Sequence, residues 1–169
     1  QFNTALCTLT SGLGLWLLCR GRDIPALIAG ILLSLLAGLT LSQYLFSSNL
    51  GVDELFMKSY IMVQTSSPGR MAPNSALSFF ISGINLILLS RSSRRSLLTG
   101  WVAMLATLLL ALGLLPLMGY SSGIENTFGW GNLTRMAIHT ATGIIIAGCG
   151  QFIFNWSSFR KYQDKLLPL

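Results

Sequence analysis

Two segments of the sequence place an arginine and a second polar side chain four residues apart. Arg135 precedes His139, and Arg70 precedes Asn74 in the same way. Residues at this spacing lie on one face of a helix, so each pair presents its polar groups together. Guanidinium groups bind carboxylates, phosphates and lipid headgroups through paired hydrogen bonds. With Asn3 as a third polar helix start, these five residues predict a shared pocket for an anionic or amphipathic ligand.

A structural role for the same residues is also open. Arginines anchor helices at lipid headgroups, and polar residues such as Asn74 and His139 satisfy backbone groups where helices begin. Three acidic residues on the same side of the predicted membrane, Asp53, Glu54 and Glu125, are available to pair with the arginines when no ligand is bound.

His139 is the only histidine in the chain, which limits the metal or cofactor chemistry that the sequence can support. A haem would need a second ligand, for which Met71, Met118 and Met136 are the candidates. The three cysteines lie singly in apolar runs, without metal-ligand spacing. No acid or histidine is placed to activate a serine inside those runs. We therefore expect no enzymatic activity, no metal and no cofactor.

The polar helix starts belong to a motif that occurs twice in full. Residues 70–76 read Arg-Met-Ala-Pro-Asn-Ser-Ala, residues 135–141 read Arg-Met-Ala-Ile-His-Thr-Ala, and residues 3–5 keep Asn-Thr-Ala. Each copy opens an apolar run that carries a glycine seven residues after the alanine, at Gly12, Gly83 and Gly148. This recurrence predicts an internal repeat of two helices, joined by a short basic turn and followed by an acidic outer loop. We expect the three glycines to have matching packing roles.

The composition excludes an ordinary soluble domain. Apolar residues make up 52% of the 169 residues and charged residues only 9%, whereas soluble domains carry about a quarter charged residues. Five apolar runs approach the roughly 20 residues that a helix needs to cross a bilayer, and they lack the alternation of strands. The sequence predicts an all-α fold, a single integral membrane domain over residues 1–169. Its five transmembrane helices are expected at about 2–19, 24–46, 73–89, 97–120 and 136–156, with a cytoplasmic helical exit at 157–169.

The runs contain polar residues but no acidic or basic residue away from their ends. We expect four of these polar side chains to hydrogen-bond between helices: Asn85, Thr107, Gln151 and Asn155. A pathway for protons or ions normally needs charged groups inside the membrane. Their absence from the runs argues against an ion-coupled transporter.

Charge is distributed unequally between the two ends of the predicted helices. The short turns and the tail carry eight basic and two acidic residues, including Arg94 and Arg95, whereas the long loops carry three of each, including Lys58. The positive-inside rule places the basic end in the cytoplasm. We expect a multi-pass protein of the bacterial inner membrane, with the start of the chain outside and the C-terminus inside. The net charge of +6 then reflects topology, and no nucleic-acid partner is expected.

The Asn-Thr-Ala and Arg-Met-Ala-Pro-Asn-Ser-Ala helix starts, the short basic turns and the basic exit resemble the membrane-embedded input regions of bacterial signalling proteins. Such regions precede histidine-kinase, PAS or GGDEF output modules. The resemblance implies a sensory module that passes an outer-face or intramembrane signal to a cytoplasmic partner or output domain. The residues expected to carry the signal out are Phe159, Arg160, Lys161 and Lys165.

A second function class is open: a non-catalytic accessory or structural subunit of a larger membrane complex, such as an electron-transfer or photosynthetic assembly. Such a subunit would dock through its smooth apolar faces. In both cases the expected partners are the lipid bilayer and other membrane helices, from further copies of the chain or from a larger complex. A chain that continues past Leu169 into a soluble domain favours the sensor, and one that stops there favours the subunit.

Overall fold

The structure, a computed structural model, describes residues 1–54, 69–91, 96–130 and 133–166. In these ranges it contains five α-helices and two short 3-10 turns, and no strand. The helices are α1 (Phe2–Cys19), α2 (Asp23–Leu45), α3 (Pro73–Arg91), α4 (Ser96–Ser122) and α5 (Ile138–Leu166). The 3-10 turns are Val52–Glu54 and Glu125–Thr127. Lys58, Arg94, Arg95 and the last three residues of the predicted exit lie outside the described residues.

The predicted all-α fold is confirmed, because each of the five apolar runs forms one helix. Most boundaries agree within two residues of the prediction. The largest difference is at the last helix, where α5 does not end near Trp156 but runs on through the predicted exit to Leu166. The exit residues from Phe159 to Lys165 are therefore part of the same helix that begins at Ile138.

Four of the helices, α1 to α4, are long and apolar enough to cross a membrane. Large apolar side chains cover the outside of the bundle, among them Leu9, Trp16, Ile24, Ile28, Leu32, Leu35, Trp101, Met104, Leu115 and Ile153. Polar side chains are buried instead, including those of Ser78, Ser82 and Asn85. This pattern reverses that of a soluble protein and suits a bundle whose surroundings are hydrocarbon. α5 is less apolar than the other four helices because its last turns contain Arg160, Lys161, Asp164 and Lys165.

The closest helix contacts are made where glycines let two backbones meet. α2 packs most extensively on α3, and α4 on α5. A Cβ atom on Gly30 would lie 2.9 Å from the Gly83 carbonyl oxygen, and one on Gly113 would lie 3.0 Å from the Ala141 carbonyl oxygen. Gly148 also packs closely, since its Cβ would lie 3.2 Å from Leu109.

The three motif glycines do not share one role. Gly83 and Gly148 each pack against the preceding helix, whereas a Cβ on Gly12 would meet no heavy atom within 4 Å. The expectation of matching roles is therefore wrong for Gly12, because α1 has no helix of the described structure against that part of its surface. In α1 the close approach occurs at Gly14 instead, where a Cβ would lie 2.7 Å from the Leu86 side chain.

Three helices are joined by a chain of buried polar side chains. Ser11 of α1 lies 2.9 Å from Ser82 of α3, hydroxyl to hydroxyl. The Gln151 amide of α5 donates to the Ser82 hydroxyl at 2.8 Å and accepts from the Asn85 amide at 2.9 Å. Hydrogen bonds between polar side chains of different helices stabilise membrane bundles by about 0.6 kcal/mol each on average. Together they fix α1, α3 and α5 side by side.

Three of the four polar residues expected to bond between helices do so. Asn85 and Gln151 bond to each other, and the Asn155 amide of α5 donates to the Thr99 carbonyl of α4 at 3.0 Å. The prediction is wrong for Thr107, whose hydroxyl donates to the Ala103 carbonyl of its own helix at 2.9 Å. A threonine hydroxyl reaches the carbonyl one turn back without a partner helix, and Thr107 is exposed.

The substitution Gly83→Val tests the contact between α2 and α3. Its side chain would meet the Ser34 hydroxyl and the Gly30 carbonyl, so the helices must separate at a cost of about 1–3 kcal/mol. Gly12→Val is the matched control, because it adds the same atoms to a helix interior in open space. Unfolding of both variants by increasing sodium dodecyl sulfate in micelles, followed by circular dichroism, measures the difference. Equal losses of stability would contradict the close packing.

Candidate ligand pocket at the starts of three helices

The first turns of α1, α3 and α5 surround an open cavity of about 380 Å³, which we call the helix-start cavity. Its lining residues are Gln1, Thr4, Ala5, Thr8, Ser75, Arg135, Ala137, His139 and Thr140. The volume lies at the lower end of the range for small-molecule pockets. Because the first turn of a helix carries a partial positive charge, three such ends at one cavity favour an anion.

The lining is rich in hydroxyl groups, and one hydroxyl comes from each copy of the sequence motif. Thr4, Ser75 and Thr140 are the residues that follow Asn3, Asn74 and His139 in the chain. Ser75 is 1% exposed and Thr140 is 4% exposed, and in the described part of the structure neither side chain makes a hydrogen bond. Buried hydroxyls normally have a partner. These two hydroxyls are therefore available to a molecule that enters the cavity.

Sequence reasoning missed these hydroxyls, although the signal was there. The motif keeps a hydroxyl residue directly after its polar residue in all three copies. The structure brings the three hydroxyls to one cavity because the three helix starts lie at the same end of the bundle.

Arg135 reaches the helix-start cavity and also pairs with the loop beside it. Its Nη2 lies 2.7 Å from Glu125 Oε2, and both side chains are more than half exposed, 55% and 65%. The guanidinium carbon lies 5.8 Å from the centre of the Phe128 ring, close enough for a cation–π contact. Phe128 stacks on Tyr120 with ring centres 4.1 Å apart, and the Tyr120 hydroxyl donates to the Met136 carbonyl at 2.6 Å.

Arg70 is in a different environment, because its guanidinium is buried and bonds to its own loop and to α2. Its Nε lies 2.8 Å from Asp53 Oδ2, with the two side chains 7% and 5% exposed. Its Nη2 donates to Gln43 Oε1 and to the Ser48 carbonyl, each at 3.3 Å. The guanidinium also lies 5.3 Å from the centre of the Tyr44 ring. Arg70 is not among the residues that line the helix-start cavity.

Asn3 and Asn74 connect helix starts to loops. The Asn3 amide donates to the Val52 carbonyl at 2.9 Å, and the Asn74 amide donates to the Phe128 carbonyl at 3.3 Å. Asn74 Oδ1 also accepts the backbone N–H of Ser75 at 3.0 Å. These contacts satisfy backbone groups, as the structural alternative expects. Of the five predicted ligand residues, the structure brings Arg135 and His139 to the cavity and gives the other three partners elsewhere.

The predicted signal exit lies at the far end of the helix that carries His139. α5 has 29 residues, and at a rise of 1.5 Å per residue it extends about 43 Å. That length exceeds the roughly 30 Å of a bilayer's hydrocarbon core. Trp156 and Phe159 contact each other near its end, with ring centres 6.5 Å apart. Arg160 is exposed one residue later.

Comparisons with protein-family models, with curated proteins and with solved structures find no match for this chain. The described residues contain no group of three histidine, cysteine, aspartate or glutamate side chains that could hold a metal ion. The helix-start cavity and its contacts are thus the features of the molecule from which a function can be inferred.

The two arginines should differ sharply in their effect on stability. Removing one partner of a buried ion pair leaves an uncompensated charge and costs about 3–5 kcal/mol, so Arg70→Gln should greatly destabilise the bundle. An exposed pair contributes about 0.2–1 kcal/mol, so Arg135→Gln should change stability little. Unfolding in sodium dodecyl sulfate, followed by circular dichroism, compares the two identical substitutions. A larger loss of stability for Arg135→Gln than for Arg70→Gln would contradict the assignment of Arg70 as the buried arginine.

Proposed function

We propose that this chain is a membrane-embedded sensory input module of the bacterial inner membrane. It receives a signal in the helix-start cavity at the outer face and passes it to a cytoplasmic partner or output domain. The observation that carries the proposal is the continuity of α5, which supplies His139 and Thr140 to the cavity and runs unbroken to the basic segment from Phe159 to Lys165. A shift or rotation of such a continuous helix at the cavity would also displace its basic end.

The proposed topology has five membrane spans, with α5 as the fifth. Residues from the first turns of α1, α3 and α5 line one cavity, so these three helices begin at the same end of the bundle. α2 and α4 return the chain in the opposite direction, as alternate crossings require. The basic turns and the basic end of α5 then share the other end, which the positive-inside rule assigns to the cytoplasm.

We further propose that the bundle is built from an internal repeat of two helices. Contacts recur at matching positions: Tyr44 donates to the Met71 carbonyl and Tyr120 to the Met136 carbonyl, while Arg70 pairs with Asp53 and Arg135 with Glu125. The loops begin alike too, since Gly51 and Gly123 both have a positive φ, 69° and 70°. These shared details support a common ancestry of the two units better than composition alone.

The two units have different roles in this proposal. The first arginine is enclosed by Gln43, Tyr44 and Asp53 and holds its loop in place. The second arginine keeps the same kind of acidic partner but remains exposed beside a cavity. A sensor needs one part that stays fixed and one part with two arrangements of similar free energy. The first unit fits the fixed part, and the second unit fits the part that responds.

The topology is tested by labelling single cysteines in whole cells. With Cys7, Cys19 and Cys149 replaced by alanine, Ser122→Cys and Ser158→Cys place an exposed thiol at each end of the bundle. A membrane-impermeant maleimide should label position 122 and leave position 158 unlabelled until the cells are permeabilised. Labelling of position 158 alone in intact cells would reverse the orientation.

Signal transmission is tested by measuring whether the far end of α5 responds to a change at the cavity. Spin labels at Gly100→Cys and Ser158→Cys, in the same cysteine-free background, report the distance between α4 and α5 at the basic end. Glu125→Gln breaks the exposed ion pair at the other end. The labelled protein in nanodiscs should show a distance shift of roughly 1–5 Å by double electron–electron resonance, the scale of helix shifts in switching proteins.

Ser121→Ala is the control, because Ser121 is exposed at the same end and bonds only within its own helix. It should leave the distance distribution unchanged. A distribution that is identical in Glu125→Gln and in the control would overturn the sensor proposal and favour the accessory-subunit class.

A further inference from the structure

We propose that the helix-start cavity binds a carboxylate or phosphate group, and that this oxyanion replaces Glu125 as the partner of Arg135. The inference rests on the proposed function, since it names the chemical class of the signal. The group belongs either to a small solute or to the headgroup of an anionic lipid, and the two sources share the chemistry that the cavity recognises.

The charge of the cavity selects for an anion. The lining contains one arginine and one histidine but no aspartate or glutamate. The first turns of three helices add their partial positive charges at the same place. Glu125 already occupies one side of the guanidinium, and a planar guanidinium with five N–H donors binds carboxylates and phosphates in paired hydrogen bonds.

The unpaired hydroxyls indicate where the rest of the ligand is bound. Ser75 and Thr140 are almost fully buried, yet their side chains make no hydrogen bond with the described residues. Hydroxyl groups both donate and accept, so they suit the oxygens of an oxyanion or of a hydroxyl beside it. The small residues Ala5 and Ala137 also line the cavity.

The exposed ion pair is weak enough to be exchanged. Asp53 holds Arg70 in a buried pair that Gln43 reinforces from the side. Glu125 has no such support, because both it and Arg135 are more than half exposed to solvent. An incoming oxyanion that gains the hydroxyls and the helix ends as well as the guanidinium has more partners than Glu125 has. The exchange would release the turn Glu125–Thr127, which follows Gly123.

Binding is tested by isothermal titration calorimetry on the full chain in nanodiscs of phosphatidylcholine. Sodium phosphate and sodium succinate are the probes, and sodium chloride at equal ionic strength is the reference. Arg135→Gln should weaken binding roughly ten- to hundredfold, since a charge-assisted hydrogen bond is lost. Glu125→Gln should strengthen it about two- to fivefold by removing the competitor. Arg160→Gln, the same substitution at the other end of α5, should have no effect.

Two further variants separate the hydroxyls from the charge. Thr140→Val keeps the size of the side chain and removes the hydroxyl, so it should weaken binding about two- to tenfold. Thr107→Val makes the same change at an exposed position of α4 that is not among the lining residues and should leave binding unchanged. Equal affinities in Thr140→Val and Thr107→Val would show that the Thr140 hydroxyl does not contact the oxyanion.

A second arm identifies the source of the oxyanion. Nanodiscs that contain phosphatidylglycerol in place of part of the phosphatidylcholine should block the solute probes if the native occupant is a lipid headgroup, and leave them unaffected if it is a solute. Either result supports the proposal provided that it depends on Arg135. Absence of Arg135-dependent binding in both lipid compositions would overturn it.

The ligand class and the sensor function fail separately. Arg135-dependent binding without a change in the distance between the spin labels at positions 100 and 158 would contradict the sensor function but support the oxyanion site. Movement of the labels in Glu125→Gln without any oxyanion binding would leave the sensor function and eliminate this ligand class.

Discussion

The structure depends on one interaction: amides and hydroxyls inside an apolar-faced bundle are stabilised by bonding to polar groups on other helices. Ser11, Ser82, Asn85 and Gln151 bond to one another in this way across α1, α3 and α5. Because a side chain left unpaired there would cost free energy, these bonds favour one lateral arrangement of the three helices. That arrangement places their first turns around a single cavity, so the site at one end depends on the network nearer the centre.

The second interaction is the close packing of the helix pairs. Glycines let α2 meet α3 and α4 meet α5 at carbonyl distance, which is how helices associate when the hydrophobic effect offers little between them. Within each pair the two helices are connected by a loop, which carries Asp53 between α2 and α3 and Glu125 between α4 and α5. A tyrosine at the end of the helix before each loop donates a hydrogen bond to a backbone carbonyl after the loop. Tyr44 donates to Met71, and Tyr120 donates to Met136. The loops are therefore part of the bundle's end and not separate from it.

The two arginine sites show how one sequence pattern acquires two physical roles. Arg70 and Arg135 occupy the same place in the motif and each pairs with an acid from its own loop. Gln43 and Tyr44 enclose the first pair. Tyr120, the counterpart of Tyr44, instead stacks on Phe128, and the guanidinium of Arg135 remains exposed. Screening by solvent makes the second pair weak. Exposure, more than residue type, separates a structural arginine from one that is able to meet a ligand.

The sequence by itself determined the helices and their apolar character, because hydrophobic run length and helix-start residues act locally along the chain. It also indicated the interhelical bonds of Asn85, Gln151 and Asn155, since buried amides need partners and few were available. It did not determine which arginine would be exposed, that Gly12 would face open space, or that Thr4, Ser75 and Thr140 would share a cavity. Only the tertiary structure decided these points, because each depends on groups that are distant in the chain and on how far solvent reaches between them.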